Sequence, residues 1–153
     1  MSWSRGARPS VRGRPSILGS PPQHLRDPGE GTALEIGAGC TIREHASIHR
    51  GTALGGGRTV VGDGALIMCA AHVGHDCVLE DEVILTANCA LAGHVTVGRK
   101  AIVGGLAGEH PVCRIGAFAF IGGCAAVEAD VIPFGSVLGN RARLGGLNLV
   151  GIK

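Results

Sequence analysis

The stretch from Val61 to Val97 reads VGDGALIMCAAHVGHDCVLEDEVILTANCALAGHVTV, and its period decides the fold. Stepping by six from Val61 meets Ile67, Val73, Leu79, Leu85, Leu91 and Val97, and the register continues through Val103, Glu109, Ile115, Ile121, Val127 and Pro133. Eleven of those thirteen positions are aliphatic; Glu109 and Pro133 are not. Four residues after each lies a second register, from Ala65 and Ala71 through Cys77, Val83, Cys89 and Val95 to Val131 and Val137, filled only by Ala, Cys or Val. Glycine follows the aliphatic at Gly62, Gly74, Gly98, Gly104, Gly116 and Gly122, where it is expected to relieve backbone strain at a turn.

One large and one small apolar residue in every six suit a short strand and a tight corner. Three such units close an 18-residue triangular coil, and stacked coils make a parallel β-helix. Backwards the frame runs through Ile36, Ile42 and Ile48. From Ile48 to Val61 is two steps and one residue, which predicts a small loop near residues 49–60. The prism is expected over residues 22–139, with residues 140–153 leaving it. Residues 1–21, carrying Arg5, Arg8, Arg12 and Arg14 among glycines and prolines, read as a disordered basic tail.

The composition agrees. With 27 glycines, no tyrosine, three phenylalanines and one tryptophan, the core must be narrow and filled by aliphatic and small side chains. A net charge of +2 gives no case for nucleic acid, and no apolar run reaches the ~20 residues of a membrane span. A reducing, cytoplasmic setting is expected. Cys40, Cys77, Cys89 and Cys113 fall in the small inward register, where a thiol packs as a compact hydrophobe, and no C-x-x-C pairing points to a metal or redox role.

His72, His75, His94 and His110 lie outside both registers, as does Asp76. Residues eighteen apart should stack, which sets Gly93 over His75 and His94 over Asp76, with His110 one coil above Ala92. Imidazole suits general-base work near neutral pH, a carboxylate beside it fixes its tautomer, and a glycine opposite leaves an N–H open to an oxyanion. That set is what acyl transfer to a hydroxyl needs. Three histidines could instead bind zinc, which is the rival reading.

The blocks IREHASIHRGT, GGGRTVVGDGALIMCAAHVGHDCVL, ANCALAGHVTVG, AIVGGLAGEHPVCRIGAFAFIGGCAAV and GNRARLGGLNLVGIK resemble the UDP-N-acetylglucosamine acyltransferase family, from about Pro22 to Lys153. The resemblance implies an all-β fold, a left-handed parallel β-helix, here apparently truncated at both ends and lacking most of the family's C-terminal helical domain. It implies a homotrimer that moves a (3-hydroxy)acyl chain from acyl carrier protein to the 3-hydroxyl of UDP-N-acetylglucosamine, opening lipid A biosynthesis, with no cofactor and no metal. By motif, His75 is the general base, Asp76 its orienting partner and Gly93 the oxyanion donor. His49, His72, His94 and His110 match positions at the substrate site, Gly123 the place where the acyl end is measured, and Asn148 a residue near the donor's pantetheine arm.

Several residues depart from the pattern: His24 and Arg26 stand where the family shows Asp and Lys, Glu109 where it has an aliphatic and Pro111 where it has Gln. Three alternatives remain beside the leading one. They are a transferase retuned to another acceptor, a truncated non-catalytic prism, and a trimeric zinc hydratase, which would leave Asp76 and Gly93 without a role.

Overall fold

A computed structural model describes residues 2–3, 10–12, 15–26 and 31–152. The chain winds as a left-handed parallel β-helix with three flat faces. On the first face Ala33–Ile36, Arg58–Val61, Val78–Leu79, Thr96–Val97 and Arg114–Ile115 lie side by side. The second carries Thr41–Arg43, Leu66–Ile67, Ile84–Leu85, Ile102–Val103, Phe120–Ile121 and Gly135–Leu138, and the third Ser47–His49, His72–Val73, Ala90–Leu91, Gly108–Glu109 and Ala126–Val127. Val61, Leu79, Val97 and Ile115 form one inward column, and the regular coils repeat every eighteen residues. Both apolar registers are buried from Ile36 to Val127, including all four cysteines assigned there.

The corners are built differently from the expectation. The glycines that follow the aliphatics do not adopt the left-handed conformation. That conformation falls two residues further on, at non-glycine residues including Ala70, Asp76, Glu82, Asn88, His94, Lys100 and Leu106, with φ between 55° and 64°. Each such backbone is strained, and hydrogen bonds to the coil below offset the strain: Glu82 N–H donates to Asp63 O at 2.7 Å and His94 N–H to His75 O at 2.9 Å. The glycines serve close approach instead. A Cβ on Gly104 would lie 2.5 Å from Gly123 N, and one on Gly74 would lie 2.8 Å from Ala92 C.

The structure corrects three further expectations. Ile36, Ile42 and Ile48 pair with Val61, Ile67 and Val73, so that coil has 25 residues and a seven-residue insertion loops out at its third corner rather than a single residue. At the other end Val131 stacks on Ile115 and Val137 on Ile121, two residues early. Both valines therefore occupy the large inward column, while Pro133 is exposed. Finally, the tail is not uniformly free of structure. Ser2–Trp3, Ser10–Arg12 and Ile17–Ser20 pair with the strands at Ala33–Ile36, Thr41–Arg43 and Ser47–His49 as a further coil, and Leu18 packs on the core. Their uneven spacing hides them from a six-step search. The remaining tail positions, 1, 4–9 and 13–14, lie outside the described residues.

After Leu138 the chain turns back, and Arg143–Leu147 pairs antiparallel to Gly135–Leu138 before the short helix Leu149–Ile152. Among the described residues no helix is long and apolar enough to cross a membrane.

Glu109 occupies the inward column between Leu91 and Val127, 3% exposed, and among the described residues neither carboxylate oxygen has a hydrogen-bond partner. Burial pushes its carboxyl up to about 8. A carboxyl whose folded value exceeds its unfolded one is held protonated by folding, so its contribution is intact below about pH 4.5 and is lost as pH rises towards 8. Urea unfolding should therefore show stability falling across that window by about 1 kcal/mol per pH unit at its steepest. In Glu109→Leu that fall should vanish, and the variant should be the more stable protein at pH 8.

Candidate active site

The third-face strand His72–Val73 leads into the corner Gly74–His75–Asp76, and the seven-residue insertion folds over that corner. Asp76 has a left-handed backbone, φ 58°, held by its N–H donating to the Thr59 hydroxyl at 2.9 Å. Its carboxylate is buried beneath the insertion. Thr52 grips it twice, N–H to Oδ1 at 2.9 Å and hydroxyl to Oδ2 at 2.7 Å. Oδ2 also lies 2.9 Å from His75 Nδ1 and 3.8 Å from His94 Nε2. Burial acts to raise the Asp76 carboxyl, but the bonds from Thr52 and His75 and the nearby His94 outweigh it and hold the group below the usual carboxylate range.

Stacking brings the neighbours in as the period predicts. A Cβ on Gly93 would fall 2.5 Å from His75 Cε1 and 2.7 Å from Nε2, so the glycine backbone lies against the imidazole. Among the described residues none accepts a hydrogen bond from the Gly93 N–H. The ring of His94 meets that of His75 edge to face, centroids 5.1 Å apart, and the His24 ring meets it in the same manner at 5.2 Å. His49 and His72 form a second T-shaped pair at 5.1 Å, and His72 Nδ1 shares a 2.8 Å hydrogen bond with the Ser47 hydroxyl. Burial depresses the basicity of both; a backbone hydrogen bond at Pro21 partly opposes it at His49, while His75 beside His49 and His49 beside His72 add to it.

A cavity of about 290 Å³ opens here, lined by Gln23, His49, His72, Gly74, His75, Ala92, Gly93 and Pro111. A trough of about 450 Å³ adjoins it along the third face, sharing His72 and Ala92 and reaching His110. Of the residues singled out from sequence, His49, His72, His75, Asp76, Gly93 and His94 thus share one corner, and His110 stands one coil away. Gly123 and Asn148 lie elsewhere on the chain. Gly123 sits at the corner between the second and third faces, where a Cβ would be 3.2 Å from Gly105 O. Asn148 ties the C-terminal segment to the second face, its Nδ2 donating to Phe118 O at 2.7 Å. It borders a separate cavity of about 840 Å³ with Phe118, Phe120, Leu147 and Leu149.

The period gave no sign of Thr52, Thr59 or Gly55. Gly55 packs so near Asp76 and His94 that a Cβ there would collide with the carboxylate. The available signal was the broken repeat itself, since an insertion at one corner must cover something. Thr52→Val removes one of two clamps on a buried charge and should cost about 1–3 kcal/mol. Because that bond favours the ionised carboxylate, the Asp76 titration should move to higher pH. Carboxyl-carbon NMR over pH 2–7 reads the shift, and Thr52→Ser should restore the original midpoint.

No protein-family model matches the chain. Among curated relatives, the acyl-(acyl-carrier-protein)–UDP-N-acetylglucosamine O-acyltransferase of Agrobacterium fabrum is 48% identical over 137 residues, covering 90% of this chain and 51% of that protein. The enzyme of the same name from Paracoccus denitrificans is 52% identical over 136 residues, covering 89% and 52%. The solved UDP-N-acetylglucosamine acyltransferase of Campylobacter jejuni superposes with a TM-score of 0.88 at 42% identity, over 93% of this chain and 56% of that one. The Arabidopsis enzyme superposes at 0.90 with 40% identity, over 95% and 50%. The chain spans about half the length of the curated relatives it matches, and over that span it is similar in sequence and fold to UDP-N-acetylglucosamine acyltransferases.

Proposed function

We propose that this chain transfers a (3-hydroxy)acyl group from acyl carrier protein to the 3-hydroxyl of UDP-N-acetylglucosamine, as a cytoplasmic homotrimer in lipid A biosynthesis. The observation that carries this reading is the contact between the His75 ring and the Gly93 backbone, with Asp76 anchored behind the ring. An ionised Asp76 holds the proton of His75 on Nδ1, leaving the lone pair on Nε2, the nitrogen nearer the cavity side of Gly93. Nε2 then takes the proton of the sugar hydroxyl as its oxygen attacks the thioester carbonyl carbon. The Gly93 N–H receives the negative charge that develops on the carbonyl oxygen. When the tetrahedral intermediate collapses, the carbon–sulfur bond breaks and the departing sulfur regains a proton from His75 Nε2. Asp76 balances the transient imidazolium without itself being protonated.

His49 and His72, kept neutral by burial, suit hydrogen bonding to an acceptor at the cavity wall, with His94 and His110 on the flanking coils. Gly123 and Asn148 belong to this reading only through an assembly in which a neighbouring chain completes the site. A second reading, transfer to another nucleotide sugar, draws on His24, whose imidazole stands at the cavity rim against His75.

Purified protein supplied with 3-hydroxyacyl carrier protein and UDP-N-acetylglucosamine should form acylated sugar nucleotide. His75→Ala should lower kcat by about 10²–10⁴-fold, the range for loss of a general base. Gly93→Ala, which adds a methyl against the ring without demanding a left-handed backbone, should lose activity comparably while unfolding as cooperatively as the parent. Normal turnover in His75→Ala defeats the assignment, and preferred use of UDP-N-acetylgalactosamine would select the second reading.

A further inference from the structure

The carboxylate of Asp76 lies among more imidazole than a general base requires. His75 Nδ1 stands 2.9 Å and His94 Nε2 3.8 Å from the same oxygen, and one ligand atom from each of the three residues lies within 4.8 Å of the others. A four-coordinate zinc with bonds near 2.0 Å wants its ligand atoms roughly 3.3 Å apart. Two imidazoles and one carboxylate suit the later first-row divalent ions and not Mg²⁺ or Ca²⁺, which prefer oxygen alone. The His94 side chain is 39% exposed, which gives an entry path, whereas Asp76 is fixed from behind by Thr52. With three ligands from the chain, the fourth place of a tetrahedral ion is left for water.

We propose that His75, Asp76 and His94 form a binding site for one divalent transition-metal ion, Zn²⁺ above all, and that the bound ion silences His75 as a base. The silencing, though not the site, rests on the acyltransferase reading. To coordinate the ion, Nδ1 must give up the proton it shares with Asp76, and the ring stays neutral by carrying that proton on Nε2. Nε2 is the atom that would otherwise receive the proton of the sugar hydroxyl. Asp76 keeps both Thr52 bonds and exchanges an N–H donor for the cation, so no buried charge is left unmatched. Ion and substrate proton thus compete for one imidazole, and metal availability becomes a brake on the reaction. The nearby pair His49 and His72 makes a built-in control. It has comparable ring contact, but its polar partners are the Ser47 hydroxyl and the Pro21 backbone instead of a carboxylate.

Purified protein stripped with EDTA and titrated with Co²⁺ should develop a visible absorption band that saturates at one ion per chain and is bleached by Zn²⁺. His94→Gln and Asp76→Asn should each weaken uptake at least tenfold, in line with the loss of a ligand or its close support. His72→Gln should bind as the parent does, and circular dichroism would confirm the fold of each variant. Absence of a saturable band, its survival in both His94→Gln and Asp76→Asn, or its loss in His72→Gln overturns the site. The optical readout needs no turnover. An inactive chain that binds cobalt in this pattern refutes the acyltransferase reading and leaves the site standing. An active chain that takes up the ion and is not inhibited refutes the silencing.

Discussion

Backbone approach between successive coils is the constraint from which the rest follows. The strands are short, so each coil is held to the next by hydrogen bonds running along the prism axis, such as His72 N–H to Cys89 O and Gly74 N–H to Leu91 O, both 2.9 Å. That spacing, about 4.8 Å, leaves a Cβ no room where one corner lies directly on another, and glycine recurs there. It also forces side chains of equal phase into columns. A column inside so narrow a triangle accepts Val, Ile or Leu at one position and Ala, Cys or Val at the other, which explains a protein almost without aromatics. The same rigidity isolates Glu109. Flanked by Leu91 and Val127, its carboxylate meets no donor, and neutrality is its way of remaining inside.

The columns make chemistry possible on the outside as well. A left-handed residue at each corner throws its side chain outward at a fixed height, and Asp76 and His94 are two of them, one coil apart. His75 precedes Asp76 and is clasped by it, so the pair moves as one body with the corner. The insertion then completes the arrangement, supplying Thr52 as the clamp on Asp76 and Gly55 as the close neighbour of Asp76 and His94.

Most of the prism and about half of the corner were legible in the sequence, for physical reasons. Period six survives because every coil repeats the same packing problem, so Val61 through Val127 and the stacking of Gly93 on His75 could be read by counting. Counting fails wherever a coil is not eighteen residues long. The 25-residue coil hid Thr52, the shortened last coil misplaced Val131 and Val137, and the uneven first coil made Ile17–Ser20 look like tail. The role of the corner glycines was misread because a sequence does not distinguish a residue that needs positive φ from one that needs no Cβ.

What sets the His75 corner apart is the imidazole that lies against the Gly93 backbone. On the corner that follows the first face, three of the N–H groups two residues past the inward aliphatic are taken by carboxylates: Ala38 donates to Asp63 at 2.6 Å, Asp63 to Asp81 at 2.8 Å and Arg99 to Glu80 at 2.8 Å. These positions attract anionic oxygen, as bare, outward-directed backbone N–H groups do. At the corner after the third face the same column reads Arg50, His75, Gly93 and Pro111. Below the Gly93 amide lies an imidazole, and above it a proline that offers no carboxylate. The fold therefore repeats an outward backbone amide up its edges, pairs some of them with carboxylates on the first edge, and at Gly93 sets such an amide beside the His75 imidazole, which Asp76 contacts at 2.9 Å. An oxyanion arriving at that point would replace, in kind, the carboxylate that the neighbouring edge already carries.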